Sequence, residues 1–181
     1  MKPILFFLFV CLMAGFTSCS DEIQNTYSRS RASFLFKPTT AAAPLQAALN
    51  SYGEYCDIRY DASKYYFTSL NASYTYTRSA VDIRNQTISM SNGFIVGRSS
   101  LTDMGSDKQP IVCYDRVCPN CFRESYITRA LTLKEGGLAF CSRCTRTYDL
   151  NNLGIISSDT TGVKLERYSI AYGNNTLAIS N

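Results

Sequence analysis

The chain has 181 residues, enough for one compact domain, and its net charge of +4 is spread along the sequence. A charge this small and diffuse does not indicate a nucleic-acid-binding protein, so no nucleic acid partner is expected. The sequence contains no histidine, which excludes Cys-His and Ser-His catalysis and every metal site that mixes cysteine with histidine.

Residues 1–18 have the pattern of an export signal. Lys2 supplies a positive charge, and the apolar run Ile4–Ala14 has eleven residues, whereas a helix that spans a bilayer needs about 20. Small residues precede Cys19, and this arrangement resembles a bacterial lipoprotein signal, in which that cysteine is lipidated. The acidic segment Ser20–Glu22 is similar to the export signal of surface lipoproteins in the Bacteroidetes.

Residues 19–31 are polar and predict a flexible tether that lifts a domain, residues 32–181, off a membrane. The lipid at Cys19 would make the membrane a partner and would place the protein in the cell envelope, on the outer membrane, facing the periplasm or the cell surface. The alternative is an ordinary secretory signal that leaves Cys19 as a structural thiol.

The remainder of the chain predicts an all-β domain of about ten strands. No stretch keeps a helical period, and Leu45–Leu49 is expected to form one helical turn at most. Residues 73–77 alternate tyrosine with small polar residues, as in a half-buried strand, and Asn92-Gly93 predicts a hairpin turn. The strand candidates are Ser33–Lys37, Glu54–Tyr60, Lys64–Thr77, Thr87–Met90, Phe94–Gly97, Pro110–Tyr114, Thr147–Leu150, Gly154–Ser157, Lys164–Tyr172 and Leu177–Ile179.

Seven tyrosines lie between Tyr52 and Tyr76. Exposed rings in this segment would stack on sugars, which is one hypothesis for a surface protein. Tyrosine is also a favoured strand residue that covers a sheet well, and this second interpretation is preferred.

The strongest local signal is a pair of Cys-x-x-Cys motifs, Cys118/Cys121 and Cys141/Cys144, separated by nineteen residues. Two thiolates three positions apart on a tight turn can contact one ion. Two such turns that face each other form the four-sulfur tetrahedron that zinc prefers. Glu135–Gly137 lies between two apolar runs and predicts a hairpin that brings the motifs together, as in a zinc ribbon.

Three states of these four cysteines stay open. A structural zinc site is favoured, and the alternatives are an iron–sulfur cluster and two disulfides in an exported protein. A thioredoxin-type redox role for residues 118–121 is disfavoured, because that motif works at the start of a helix in a βαβ unit and the sequence predicts neither. Cys56 and Cys113 are expected on strands, either as a disulfide or, preferably, as free buried thiols.

The order of these features resembles the Rieske domain superfamily, and more narrowly the small Rieske-like lipoproteins of the Bacteroidetes. Pro110–Pro119 is similar to the strand that enters the family's first ligand loop. Phe140–Gly154 is similar to the second loop with its following strand, and Lys164–Ile179 to the closing hairpin. The resemblance implies an antiparallel β-sandwich or barrel with a zinc-ribbon-like metal-binding subdomain at residues 112–150.

The chain departs from the family at the ligands themselves. The family binds its cluster through Cys-x-His and Cys-x-x-His, and Cys118 and Cys141 match the two cysteines. Asn120 and Cys144 stand at the histidine positions, and Cys121 lies one place later. A cluster with two histidines cannot form without histidine, so the resemblance implies the fold without the high-potential redox function.

We therefore expect a non-enzymatic, membrane-anchored lipoprotein of the cell envelope. It would be a binding or structural module in which Cys118, Cys121, Cys141 and Cys144 hold a structural Zn²⁺ ion. The first alternative is a Rieske-type electron-transfer protein with a 2Fe–2S cluster, and the second is a glycan-binding surface protein. The sequence names no protein or glycan partner.

Overall fold

The computed structural model describes residues 27–28, 30–84, 87–88, 93–102, 107–158 and 160–181. The predicted signal peptide, the lipidation site Cys19 and most of the predicted tether lie outside these residues. Within the described residues, no helix is both long enough and apolar enough to cross a bilayer.

The protein is mostly β, as predicted, and its strands are antiparallel. In the described residues the strands are β1 Ala32–Phe36, β2 Tyr55–Tyr60, β3 Lys64–Thr68, β4 Ser73–Thr77, β5 Thr87–Ile88, β6 Gly93–Arg98, β7 Ile111–Asp115, β8 Thr132–Lys134, β9 Leu138–Phe140, β10 Thr147–Asp149, β11 Ile155–Ile156, β12 Arg167–Gly173 and β13 Thr176–Ser180. Nine of them form one sheet in the order β4-β3-β2-β6-β7-β12-β13-β1-β5, and a second sheet has the order β11-β10-β9-β8.

The large sheet curls into a half-barrel, so that strands far apart in its order face each other. Phe36 of β1 lies 4.7 Å, between ring centroids, from Phe67 of β3, and Phe34 lies 5.5 Å from Tyr65. These rings are buried and form the centre of the main core. Burial of such large rings, at about 25 cal/mol per Å² of apolar surface, holds the curl together.

The middle strands of the large sheet are buried on both faces. On β6, Phe94 and Val96 point into the main core while Ile95 points to the opposite side. On β7, Cys113 faces the main core and Tyr114 the opposite side. This opposite side is covered by the small sheet, so the alternation of side chains along β6 and β7 divides two separate cores.

The structure contains helices that the sequence pattern did not predict. Helix α1, Ala43–Asn50, is two turns long and buries Leu45, Ala48 and Leu49 on the main core. The prediction of at most one turn was wrong. An apolar face of three residues is too short to show a helical period, and the helix is stabilised by its packing on the core. Helices α2, Ala80–Arg84, and α3, Pro119–Ser125, are shorter.

Most predicted strands are present, with three corrections. Residues 64–77 form two strands, and β4 is mainly exposed rather than half-buried, with only Tyr76 partly covered. Strand β5 pairs with β1, and β6 pairs with β2 and β7, so the hairpin predicted at Asn92-Gly93 does not form. The hairpin signal failed because β1 and the long-range partners of β6 compete with the local pairing. The predicted turn at 91–92 itself lies outside the described residues.

The closing hairpin was predicted correctly. Strands β12 and β13 pair directly, and the turn residues Asn174 and Asn175 both have positive φ values, of 48° and 59°. Two left-handed central residues match the twist of a tight hairpin, and asparagine tolerates this conformation better than most residues.

Candidate metal centre

The first cysteine pair lies where β7 turns into a helix. The Asp115 side chain accepts a hydrogen bond from the Val117 N–H (2.8 Å) and thereby fixes the turn after the strand. Cys118 occupies the N-cap position of α3, Pro119 lies in the first turn, and Cys121 follows within it. The expectation that residues 118–121 do not begin a helix was therefore wrong, although the strands on either side belong to antiparallel sheets.

The second pair lies in a turn directly after β9. The Thr145 N–H donates to the Cys141 carbonyl (2.9 Å), and the Cys141 N–H donates to the Arg146 carbonyl (3.0 Å). Thr145 has a φ of 57°, a left-handed conformation that glycine adopts more readily. The hairpin of β8 and β9, predicted around Glu135–Gly137, is present and carries this turn toward the first pair.

The four sulfurs form one compact group. Their Sγ atoms all lie within 4.8 Å of one another, and the pairs Cys118–Cys144 and Cys121–Cys141 are each 3.6 Å apart. A tetrahedral zinc ion with Zn–S bonds of about 2.3 Å places its sulfurs about 3.8 Å apart. The residues therefore fit a single metal ion, whose identity the geometry leaves open.

The electrostatics of the group are compatible with a bound cation. Burial raises the pKa of Cys118, and burial together with the neighbouring thiols raises that of Cys121. Burial opposes ionisation of Cys144 too, but hydrogen bonds from the backbone and side chain of Arg146 outweigh it and lower the pKa of Cys144 to about 7. Four thiolates this close are stable only around a positive ion.

Two polar residues that the sequence reasoning did not assign to the site lie against Cys118. The Asn120 Nδ2 donates to the Tyr148 hydroxyl oxygen (2.8 Å), and that hydroxyl lies 3.2 Å from the Cys118 Sγ. The Tyr148 oxygen thus accepts from Asn120, and in its contact with the Cys118 sulfur either the hydroxyl or the thiol can be the donor. Both side chains are buried. The sequence signal that could have identified Asn120 is the presence of a polar residue between Cys118 and Cys121.

Asn120 also fixes the segment that passes over the site. Its Nδ2 donates to the Val163 carbonyl (2.8 Å), and its Oδ1 accepts from the Val163 N–H (2.9 Å). Gly162 lies so close that a Cβ atom there would be 2.3 Å from the Asn120 Oδ1. The buried amide of Asn120 thereby helps to hold the segment 160–165 against the cysteine group, together with the Arg146 Nε, which donates to the Thr161 carbonyl (2.9 Å), and the Leu165 N–H, which donates to the Gly154 carbonyl (2.9 Å).

The arginines near the cysteine group have different partners. Arg146 forms an ion pair with Glu124 (3.0 Å) and contacts Cys144. Arg116 instead pairs with Asp57 on β2, at 2.6 Å. Of these two arginines, Arg146 is therefore the one that acts on the cysteines.

Cys56 and Cys113 are free and buried, as preferred from the sequence. Both are paired in register with Val96 of β6, which lies between them. Strands are about 4.8 Å apart, so two strand spacings separate the cysteine Cα atoms by more than the roughly 7 Å that a disulfide can span. The strand order itself excludes this disulfide.

The tyrosine-rich segment mainly contributes to the core. Tyr55 and Tyr65 are buried, and Tyr60 and Tyr76 pack partly against the main core. Tyr52 is the most exposed ring of the segment, with an exposed fraction of 61%. The preferred interpretation, in which tyrosine covers the sheet, agrees with this arrangement.

Comparison of the chain with models of known protein families gave no match, and a comparison with curated proteins gave none either. Neither comparison connects the chain to the Rieske-like superfamily, so that resemblance stays a prediction.

Proposed function

We propose that the protein binds one structural Zn²⁺ ion through Cys118, Cys121, Cys141 and Cys144. The single observation that carries this proposal is the compact group of four sulfurs, two of whose separations are 3.6 Å. A 2Fe–2S cluster inserts two irons and two sulfides between its cysteine pairs and needs them farther apart, so the spacing favours one ion over the cluster.

The ion would act as a staple between two parts of the chain. Cys118 and Cys121 follow β7 of the large sheet, whereas Cys141 and Cys144 follow β9 of the small sheet. The small sheet has strands of only two or three residues. Strands this short bury little surface of their own, so metal binding would contribute a large part of their folding free energy.

We further propose that this domain belongs to a non-enzymatic lipoprotein of the cell envelope, anchored to the outer membrane by lipid on Cys19. The pattern of residues 1–22 supports the anchor. The Rieske-like interpretation of the domain is supported by the chain order of strand, first loop, hairpin, second loop and closing hairpin. A structural ion, rather than a redox centre, gives such a domain the role of a binding or structural module.

Metal analysis of protein exported by its own signal tests the proposed ion. We expect one zinc per chain and no visible absorbance. Serine at Cys121 or Cys141 should abolish zinc binding, whereas alanine at Cys56, a buried cysteine outside the site, should leave one zinc per chain. A coloured protein that bleaches with dithionite would instead establish the electron-transfer alternative.

Removal of the ion tests the staple. Chelation should increase amide hydrogen exchange in β8–β10 while exchange in β6 and β7, which lie between two cores, changes much less. Equal loosening of both sheets, or none, would contradict a local structural role.

The anchor has a separate test. Replacement of Cys19 by alanine should move the protein from the membrane fraction to the soluble fraction, and mass spectrometry of the wild-type N-terminus should show a lipidated Cys19. A Cys19→Ala variant that stays with the membrane would refute the anchor without affecting the metal site.

A further inference from the structure

The four cysteines differ in their access to solvent. Cys118, Cys121 and Cys141 are buried, with exposed fractions of 0–3%, while Cys144 is partly exposed. Cys144 is therefore the cysteine of the group that is most accessible to a small oxidant arriving from solvent.

All four sulfurs lie within 4.8 Å of one another, and two sulfur pairs that run between the motifs are each 3.6 Å apart. These pairs are Cys118–Cys144 and Cys121–Cys141. A disulfide bond is about 2.05 Å long, so each of these pairs must close by about 1.5 Å to form one. Both pairs connect α3 with the turn after β9.

We propose that Cys144 is an oxidation site, and that hydrogen peroxide converts the four-thiolate site into two disulfides, Cys118–Cys144 and Cys121–Cys141, with release of the metal ion. The release of metal rests on the proposed zinc site, whereas the pairing of the cysteines rests on the sulfur positions alone.

The chemistry balances with one peroxide for each disulfide. The Cys144 thiolate attacks one peroxide oxygen, the O–O bond breaks, hydroxide leaves and the sulfur becomes a sulfenic acid. The Cys118 thiolate attacks this sulfur, the S–S bond forms and a second hydroxide leaves. Two protons from solvent convert the two hydroxides to water. The ion, left with two thiolates, dissociates, and Cys121 and Cys141 react in the same way with a second peroxide.

The oxidised site would keep the connection that the ion provides. Disulfides across the motifs join α3 to the turn after β9, which are the two segments that share the ion. Disulfides within the motifs would leave these segments unconnected. The protein would thus be stapled by metal when reduced and by disulfides when oxidised.

Trypsin separates disulfides between the motifs from a disulfide within residues 117–123, and fragmentation of the linked peptides by tandem mass spectrometry then shows whether Cys118 or Cys121 carries the link to Cys144. Residues 117–123 carry both Cys118 and Cys121, residues 135–143 carry Cys141, and residues 144–146 carry Cys144. After one equivalent of peroxide and alkylation of the remaining thiols, we expect residues 117–123 linked to 144–146. After excess peroxide we expect all three peptides linked, together with the loss of one zinc per chain in a dye assay. Cys56 and Cys113, which are buried on the large sheet, should remain alkylatable after unfolding.

Two further samples are metal-free protein, which separates the cysteine pairing from metal binding, and the Cys144→Ser variant, which tests the role of Cys144. Metal-free protein should give the same linked peptides. A protein that is isolated without zinc would refute the proposed function, and the pairing of its cysteines could still be measured. The Cys144→Ser variant should lose the link to residues 144–146 and react at least tenfold more slowly. An internal disulfide in residues 117–123, modification of Cys56 before Cys144, or no reaction at all overturns the proposal.

Discussion

Replacement of Asn120 by alanine should loosen the segment that covers the cysteine group without touching a sulfur. The amide makes three hydrogen bonds, two to the backbone of Val163 and one to the Tyr148 hydroxyl. Its side chain is 3% exposed, so water does not replace these bonds while the segment stays closed. The alanine variant loses all three bonds and retains the backbone of the helix start.

The magnitude follows from the number of bonds. A hydrogen bond between neutral groups contributes about 0.5–1.5 kcal/mol, so three of them contribute about 1.5–4.5 kcal/mol. Val163 is partly exposed, and water can reach its backbone once the segment moves. We therefore expect a loss of about 2 kcal/mol in the free energy of unfolding.

Urea unfolding of metal-loaded protein measures this loss, and hydrogen exchange of the Val163 amide locates it. Asn152→Ala is the matched control, because Asn152 is an exposed asparagine in a turn near the same sheet, and it should change stability by no more than about 0.5 kcal/mol. If Asn120→Ala is as stable as this control, or if the Val163 amide keeps its wild-type protection, the Asn120 side chain does not hold the segment in place.

Three further predictions concern other residues. Gly162→Ala should destabilise the covering segment by at least about 1 kcal/mol in urea unfolding, because its Cβ would lie 2.3 Å from a buried amide oxygen and its φ is 151°; wild-type stability would refute the close approach. The Tyr66 hydroxyl donates to the Asp61 carboxylate at 2.6 Å and, with nearby backbone N–H groups, lowers the pKa of Asp61 to about 2. The contribution of ionised Asp61 to stability is therefore present above pH 3.8 and lost as the pH falls through 2. The Tyr66→Phe variant should raise the Asp61 pKa in an NMR titration, and an unchanged pKa would exclude the hydrogen bond. Burial raises the pKa of Asp57, and Arg116 opposes this rise. The Arg116→Met variant should therefore have a higher Asp57 pKa and lose stability as the pH increases through that pKa. A difference in stability from wild type that stays constant between pH 4 and 8 would contradict this prediction.

The strands were predictable where one local signal agreed with the long-range pairing. Residues 167–180 show this, since the alternating apolar residues, the Asn174-Asn175 turn and the final pairing all favour the same hairpin. Residues 87–98 show the opposite. The Asn-Gly signal favoured a local hairpin, but β5 pairs with β1, and β6 pairs with β2 and β7.

The sequence by itself determined which cysteines form the candidate site, because the Cys-x-x-Cys spacing restricts each pair to one turn whatever surrounds it. It also determined the mostly β fold, through the short alternating runs and the frequent turn residues. Tertiary structure alone decided which sulfurs are neighbours across the motifs, that Val96 separates Cys56 from Cys113, and that Asn120 and Tyr148 lie against Cys118. The reason is physical: spacing along the chain fixes contacts within a turn, whereas contacts between turns and strands depend on which long-range pairing buries the most surface.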